Sequence, residues 1–179
     1  EILKGDPLPR PYVIKPANEG SSVGVHIVMP EDNRSLAMIM EKDGEQSYLV
    51  EEYIPGREIT VAVLNDQPLG VTEIRPKTGF YDYTNKYTDG KTEHLCPAPL
   101  PKNRYEEVMQ LARAAHRALG CRGLSRADFR YDEKNFYLLE VNTQPGMTAL
   151  SLSPEIAAHA GISFNELVRM LVEDARLGV

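Results

Sequence analysis

A chain of 179 residues with 42% hydrophobic and 26% charged residues has the composition of a globular protein with a real core, enough for one domain or two small lobes. Its net charge of -6 argues against a general nucleic-acid binder, which is normally basic. No apolar run is long enough to cross a membrane, and Cys96 and Cys121 lack metal-ligand or redox spacing, so we expect free thiols, no membrane association and a cytoplasmic location.

The chain opens on Glu1 without an initiator methionine and without any element ahead of its first strand, so a chain lacking its N-terminal part is expected. Tyr12 to Lys15 reads as a short strand. The Gly/Ser-rich loop from Pro16 to Gly24 then leads as a hairpin connection into a strand over Val25 to Met29. Asn33 to Lys42 is a helix candidate, and Tyr48 to Ile54 is a strand stopped by Pro55-Gly56. Arg57 to Leu64 alternates, with Ile59, Val61 and Val63 on one face and Glu58, Thr60 and Ala62 on the other. A turn over Asn65 to Pro68 returns the chain as a strand from Leu69 to Ile74.

Arg75 to Pro101 is long, polar and rich in tyrosine, which suits a lid or binding loop. Lys102 to Leu119 has the spacing of an amphipathic helix, with Tyr105, Val108, Met109, Ala112, Ala115 and Leu119 as its stripe and Gly120 closing it. Ser163 to Glu166 reads as a capping box opening the last helix, whose stripe is Phe164, Leu167, Leu171 and Ala175. Antiparallel strands with interspersed helices define an α+β fold.

The stretch from Gly123 to Ser151 carries the chemistry. Two strands, Leu124 to Tyr131 and Phe136 to Asn142, flank a polar turn. A hairpin about Lys134 sets Asp128 opposite Glu140 and Arg126 opposite Asn142 on one face, with Ala127, Phe129, Tyr131, Tyr137, Leu139 and Val141 on the other. Two carboxylates facing each other in a sheet repel. A hard divalent cation between Asp128, Glu140 and Asn142 reverses that, because such ions take carboxylate and amide oxygens. The solvated outer face of an isolated hairpin reads the same way. The Pro145-Gly146 turn that follows frees backbone N–H groups, and with Arg126 these suit an oxyanion.

Other signals are weaker alone. Lys15 with the loop after it suits phosphate oxygens but equally a plain hairpin turn, and the loop lacks the P-loop pattern. Glu51 and Glu58, at strand ends beside the Pro-Gly break, suit an adenine amine and ribose hydroxyls, or simply surface charge. Lys86 and Tyr87 lie in the long loop, where such a pair is common. The four histidines receive no catalytic or metal role, and His116 is expected to pack beside its helix stripe.

Together these motifs resemble the D-alanine–D-alanine ligases of the ATP-grasp superfamily, over the C-terminal two-thirds of such an enzyme. The resemblance rests on Val13-Ile-Lys-Pro-Ala-Asn-Glu-Gly-Ser-Ser-Val-Gly24, Val50-Glu-Glu-Tyr-Ile54, Gly56-Arg-Glu-Ile-Thr-Val61, Phe80-Tyr-Asp-Tyr-Thr-Asn-Lys-Tyr87, Cys96-Pro-Ala98, Leu119-Gly-Cys121, Ser125-Arg-Ala-Asp128 and Tyr137-Leu-Leu-Glu-Val-Asn-Thr-Gln-Pro-Gly-Met-Thr148. It implies an ATP-grasp fold holding nucleotide between two α+β lobes. Residues 1–50 would form part of the central lobe and 51–179 the C-terminal lobe, with the N-terminal substrate domain missing.

It also implies ATP-dependent joining of two D-alanines through an acyl phosphate, for peptidoglycan precursors. Lys15 would bind phosphates. Glu51, the Glu52 backbone and Ile54 would hold adenine, and Glu58 the ribose. Asp128, Glu140 and Asn142 would hold two Mg2+ ions, with Mn2+ as a substitute. Arg126 and the Gly146 N–H would serve the oxyanion, and Ser151 the carboxylate of the second D-alanine. Lys86 would meet the transferred phosphate, and Tyr87 would close the lid onto Ser21. Expected partners are D-alanine and ATP, with a homodimer as the candidate assembly. Gln144 and Ala149 depart from the family pattern without touching these residues. The part of the site that binds the first D-alanine lies outside the motifs, so this chain is expected not to ligate alone. A D-alanine–D-lactate or D-alanine–D-serine ligase is the nearest alternative, although Lys86-Tyr87 favours D-alanine. A non-catalytic ATP-binding module of the same fold is another.

Overall fold

The computed structural model describes residues 5–20, 23–33, 36, 38, 47–76, 92–148 and 150–176. In chain order it contains β1 (Tyr12–Pro16), β2 (His26–Val28), β3 (Tyr48–Glu52), β4 (Arg57–Leu64), β5 (Gln67–Pro76), β6 (Thr92–Leu95), α1 (Lys102–Ala118), β7 (Leu124–Tyr131), β8 (Phe136–Asn142), α2 (Leu152–His159) and α3 (Phe164–Asp174). Leu36 and Met38 are helical, inside the expected Asn33–Lys42 helix, most of which lies outside the described residues. None of the helices among the described residues is long and apolar enough to cross a membrane. The chain divides into two compact units, one built on the residues up to Ile54, the other on Pro55–Arg75 and the chain from Glu93.

The first unit is a three-stranded antiparallel sheet in the order β2-β1-β3. β1 alternates: Tyr12, Ile14 and Pro16 are buried, and Val13 and Lys15 point the other way. Tyr12, Ile14, Val28 and Leu36 form its core. The β1–β2 pairing makes the Gly/Ser stretch a hairpin connection, as expected.

The second unit is a five-stranded sheet in the order β6-β5-β4-β7-β8. Asn65 and Asp66, at φ 46° and 68°, make the two-residue turn between β4 and β5, the left-handed geometry that matches the twist of a hairpin. The turn is therefore tighter than the expected Asn65–Pro68 stretch, and β5 begins at Gln67. The long polar segment is also shorter than expected, because β5 runs to Pro76 and Thr92–Leu95 adds an edge strand.

Ile59, Val61, Val63, Val71, Ala127, Phe129 and Tyr131 build the main core with Val108 and Ala112 of α1. The alternation of β4 is as the sequence implied. His116 is buried in α1 and its Nδ1 lies 2.7 Å from Ser125 Oγ. Leu119, expected on the α1 stripe, is exposed past the helix end, and Gly120 follows at φ 61°. Leu64, Leu124, Ala157 and Leu167 form a further cluster, which joins α2 and α3 to the sheet. The Ser163 hydroxyl accepts from Glu166 N and starts α3, although Phe164, expected in its core stripe, is 44% exposed. Both cysteines are free.

Candidate active site

Strand alternation places a polar patch on the face of the second sheet opposite Phe129. Across it, Thr72 pairs with Thr60, Thr60 with Asp128, and Asp128 with Glu140. The adjacent row runs Ala62, Arg126, Asn142, and the next runs Glu58, Arg130. The expected facing pairs, Asp128 with Glu140 and Arg126 with Asn142, are thus in register. Beyond Asp128 the register shifts. Leu139 is an extra residue in β8, Phe129 faces Leu138, and Tyr131 faces Phe136. Phe136 rather than Tyr137 therefore stacks on Tyr131, at 4.3 Å between ring centroids. Tyr137 faces Arg130 and its hydroxyl bonds Asp132, and both Tyr137 and Leu139 are exposed, so neither lies buried beside Phe129 and Tyr131, with which the alternation grouped them.

Asp128 is already well supplied with donors. Arg126 grips it with both arms, Nε to Oδ1 at 2.9 Å and Nη2 to Oδ2 at 2.7 Å. Thr60 Oγ1 donates to Oδ1 at 2.6 Å. The Arg126 and Asp128 side chains are only 14% and 13% exposed, which strengthens a bidentate charged pair. The opposed carboxylates alone do not require a metal, because Arg126 neutralises one of them and Glu140 faces solvent.

The donor set nonetheless fits a hard cation. Asp128, Glu140 and Asn142 present only oxygen ligands from neighbouring positions of one face, the chemistry that magnesium prefers. Asn142 Oδ1 accepts from Gln144 N at 3.0 Å, which fixes the orientation of its amide. Among the described residues no group of three or more His, Cys, Asp or Glu converges as a metal site, so two carboxylates and an amide are the set on offer. Glu58 lies on the same face with Arg130 Nη1 3.8 Å away, and Arg130 also bonds Gly56 O at 2.7 Å.

After β8 the chain turns through Pro145 and Gly146 into α2, a helix the sequence reading missed. Its signal was Ser151 followed by Pro154 in the first turn, a cap residue and a proline tolerated before the helix needs its N–H groups. The Ser151 hydroxyl does not cap the helix. It accepts from Thr148 N at 3.0 Å and lies 2.9 Å from Thr148 Oγ1. A Cβ on Gly146 would come within 2.8 Å of Ser151 Oγ, so a larger residue there would push the Ser151 hydroxyl out of its present position.

In the first unit, Lys15 and Glu51 share the outward face of β1 and β3, and Lys15 Nζ lies 2.7 Å from Glu51 Oε2. Val13 and the half-exposed Leu49 flank them. Glu52 points to the opposite side, where it lines a shallow pocket with Leu8, Arg10 and Tyr53. Ile54 is half-buried at the end of this unit. Ser21, Lys86 and Tyr87 lie outside the described residues, as does Ala149.

Comparison with known proteins sets this geometry in context. A family described as "D-ala D-ala ligase C-terminus" matches residues 6–173. A D-alanine–D-alanine ligase of Rhizorhabdus wittichii is 53% identical over 97% of this chain and 58% of its own length. A crystal structure of D-alanine–D-alanine ligase from Bacillus anthracis complexed with ATP superposes with a TM-score of 0.74 at 34% identity, over 92% of this chain and 53% of that one. The VanG D-Ala:D-Ser ligase of Enterococcus faecalis gives 0.78 at 34% identity, over 93% and 50%. The chain therefore spans little more than half the length of the relatives it matches.

Proposed function

The chain belongs to the D-alanine–D-alanine ligase C-terminal family and has the ATP-grasp fold, and on that premise we propose that it carries the nucleotide and magnesium site of an ATP-dependent ligase that joins two D-alanines. The observation that carries this reading is the single sheet face on which Arg126, Asp128, Glu140 and Asn142 stand in register. The division of labour near residue 50, central lobe before and C-terminal lobe after, is supported by the change of unit between Ile54 and Pro55.

In the reaction, the carboxylate of a first D-alanine takes the γ-phosphoryl group of ATP, giving an acyl phosphate and ADP. The amine of a second D-alanine then attacks that carbonyl, loses a proton, and expels phosphate. Such chemistry needs positioning and charge neutralisation more than covalent help. Lys15 presents a point charge to phosphate oxygens, exchanging its contact with Glu51 for one with nucleotide. Glu51 and the backbone at Glu52 and Ile54 hold adenine, and Glu58 the ribose. Asp128, Glu140 and Asn142 would hold two magnesium ions, or manganese, which when bound neutralise phosphate charge. Arg126 and the Gly146 N–H face the oxyanion of the tetrahedral intermediate. Ser151, at the start of α2 where the helix field favours anions, receives the carboxylate of the second D-alanine. By the family motif, Lys86 meets the transferred phosphate and Tyr87 bonds Ser21 to exclude water from the acyl phosphate. A cytoplasmic location suits an ATP-consuming step, and a homodimer is the assembly to look for.

A D-alanine–D-serine specificity is the second reading, favoured by the VanG likeness, which is as strong as the likeness to the ATP-bound ligase. Lys86-Tyr87 favours D-alanine. Nucleotide binding by the 179-residue chain tests the shared part of both readings. Asp128→Asn and Glu140→Gln are each expected to weaken magnesium-dependent ATP binding by at least about 10-fold. Unaltered binding in both variants overturns the site.

A further inference from the structure

Thr60, among the described residues of the polar face, reaches Asp128 from a neighbouring strand. It is fully buried, stands directly opposite Asp128 in the β4–β7 register, and donates to Oδ1 at 2.6 Å. An ionised carboxylate only accepts, so the single hydroxyl proton of Thr60 points at Asp128. A β-branched side chain in a strand has a stiff χ1, and burial leaves the hydroxyl no water to turn to.

Arg126 is a different kind of partner. It takes both carboxylate oxygens, but from the end of a long side chain two residues away on the same strand. While both arms are engaged, a cation has to compete for Asp128. Thr60 engages Oδ1 alone and leaves Oδ2 to be presented. We propose that Thr60 is a positioning residue, whose hydroxyl holds Asp128 in its cation-binding orientation when Arg126 releases one arm. This rests on the reading of Asp128 as a cation ligand.

The test measures Mn2+ binding to the 179-residue chain with ADP present, reading free Mn2+ by electron paramagnetic resonance. Thr60→Val keeps the shape and removes the hydroxyl. It is expected to weaken binding by about 10–100-fold, the usual effect of losing the partner that orients a metal ligand. Thr60→Ser, which keeps the hydroxyl, is expected to bind within about 3-fold of the parent chain by the same reasoning. If Thr60→Val fails to fold, Thr60→Ala serves in its place with the same expected loss. Asp128→Asn is the control. Loss in Asp128→Asn with none in Thr60→Val or Thr60→Ala overturns the role of Thr60 and leaves the cation site standing. Equal loss in the Val and Ser variants assigns the effect to packing and also overturns it. No loss in Asp128→Asn removes the cation site itself, and the inference with it.

Discussion

Glu73 on β5 is an almost fully buried carboxylate with two guanidinium partners, Arg57 Nη2 at 2.5 Å and Arg75 Nε at 2.7 Å. Burial pushes its carboxyl up, but the hydrogen bonds from Arg75 and Arg57 outweigh that and hold it below its ordinary value of 4.5. The sign of the linkage follows. The pairing stabilises the fold at pH above the unfolded carboxyl's value and is lost as pH falls through the lower folded value. We expect Glu73→Gln to flatten the fall of stability below about pH 4.5, and Arg57→Ala to cost about 1.5–3 kcal/mol at pH 7, the range for hydrogen bonds to a charged group. Urea denaturation at pH 7 and pH 4 checks both, and an unchanged acid slope in Glu73→Gln contradicts the assignment. At this scale the sequence is only half legible. Alternation places Asp128, Glu140, Arg126 and Asn142 on one face, because side chains repeat every two residues. It does not say which donors a carboxylate takes. Arg126 reaches Asp128 along the same strand and Thr60 reaches it across the β4–β7 pair, and neither contact leaves a mark in the pattern.

Strands and turns were more readable than their irregularities. The β7–β8 register was legible as far as the Asp128–Glu140 pair. Past it, Leu138-Leu139 offers two equivalent apolar residues, so the pattern cannot reveal that one of them is extra, and the bulge reverses the expected face of Tyr137. The edge strand β6 was hidden in a polar, charged run, the composition that protects an edge from further pairing. Pro55-Gly56 was legible as a break, but not the reason glycine is needed there. Gly56 sits at φ 117°, and a Cβ on it would fall 2.1 Å from the Tyr131 carbonyl oxygen at the end of β7. Backbone cannot yield as the tip of a side chain can. Gly56→Ala is therefore expected to lower stability by about 1–3 kcal/mol or more and to disturb the Arg57–Tyr131 end of the β4–β7 pairing. A thermal midpoint equal to the parent's would show that this approach is not fixed.

At the scale of the whole molecule, the division into two units was legible only through motifs. Lys15 and Glu51 fall in one unit, and Glu58, Arg126, Asp128, Glu140 and Asn142 in the other, and composition changes little between them. Their cores differ more. Among the described residues, the first unit buries Tyr12, Ile14, Val28 and Leu36 under three strands, while the second buries two clusters under five strands and three helices. Each fully buried large apolar side chain contributes about 1.5–3 kcal/mol, so among the described residues the second unit holds the larger share of the apolar stabilisation. Native-state hydrogen exchange against denaturant reads this directly. Amides of β4 and β7, central in the five-stranded sheet, are expected to exchange only near the global transition, and those of β1 at lower denaturant. Equal protection of β1 and β4 would mean that the two units unfold as one. Magnesium and ATP provide the second arm. A ligand held by Lys15 and Glu51 binds the folded first unit and not the unfolded chain, so saturating nucleotide is expected to raise the protection of β1 and β3, by about 2.7 kcal/mol at 100 times its dissociation constant. Protection that rises in the second unit alone would remove Lys15 and Glu51 from the nucleotide site while leaving Asp128 and its neighbours in it.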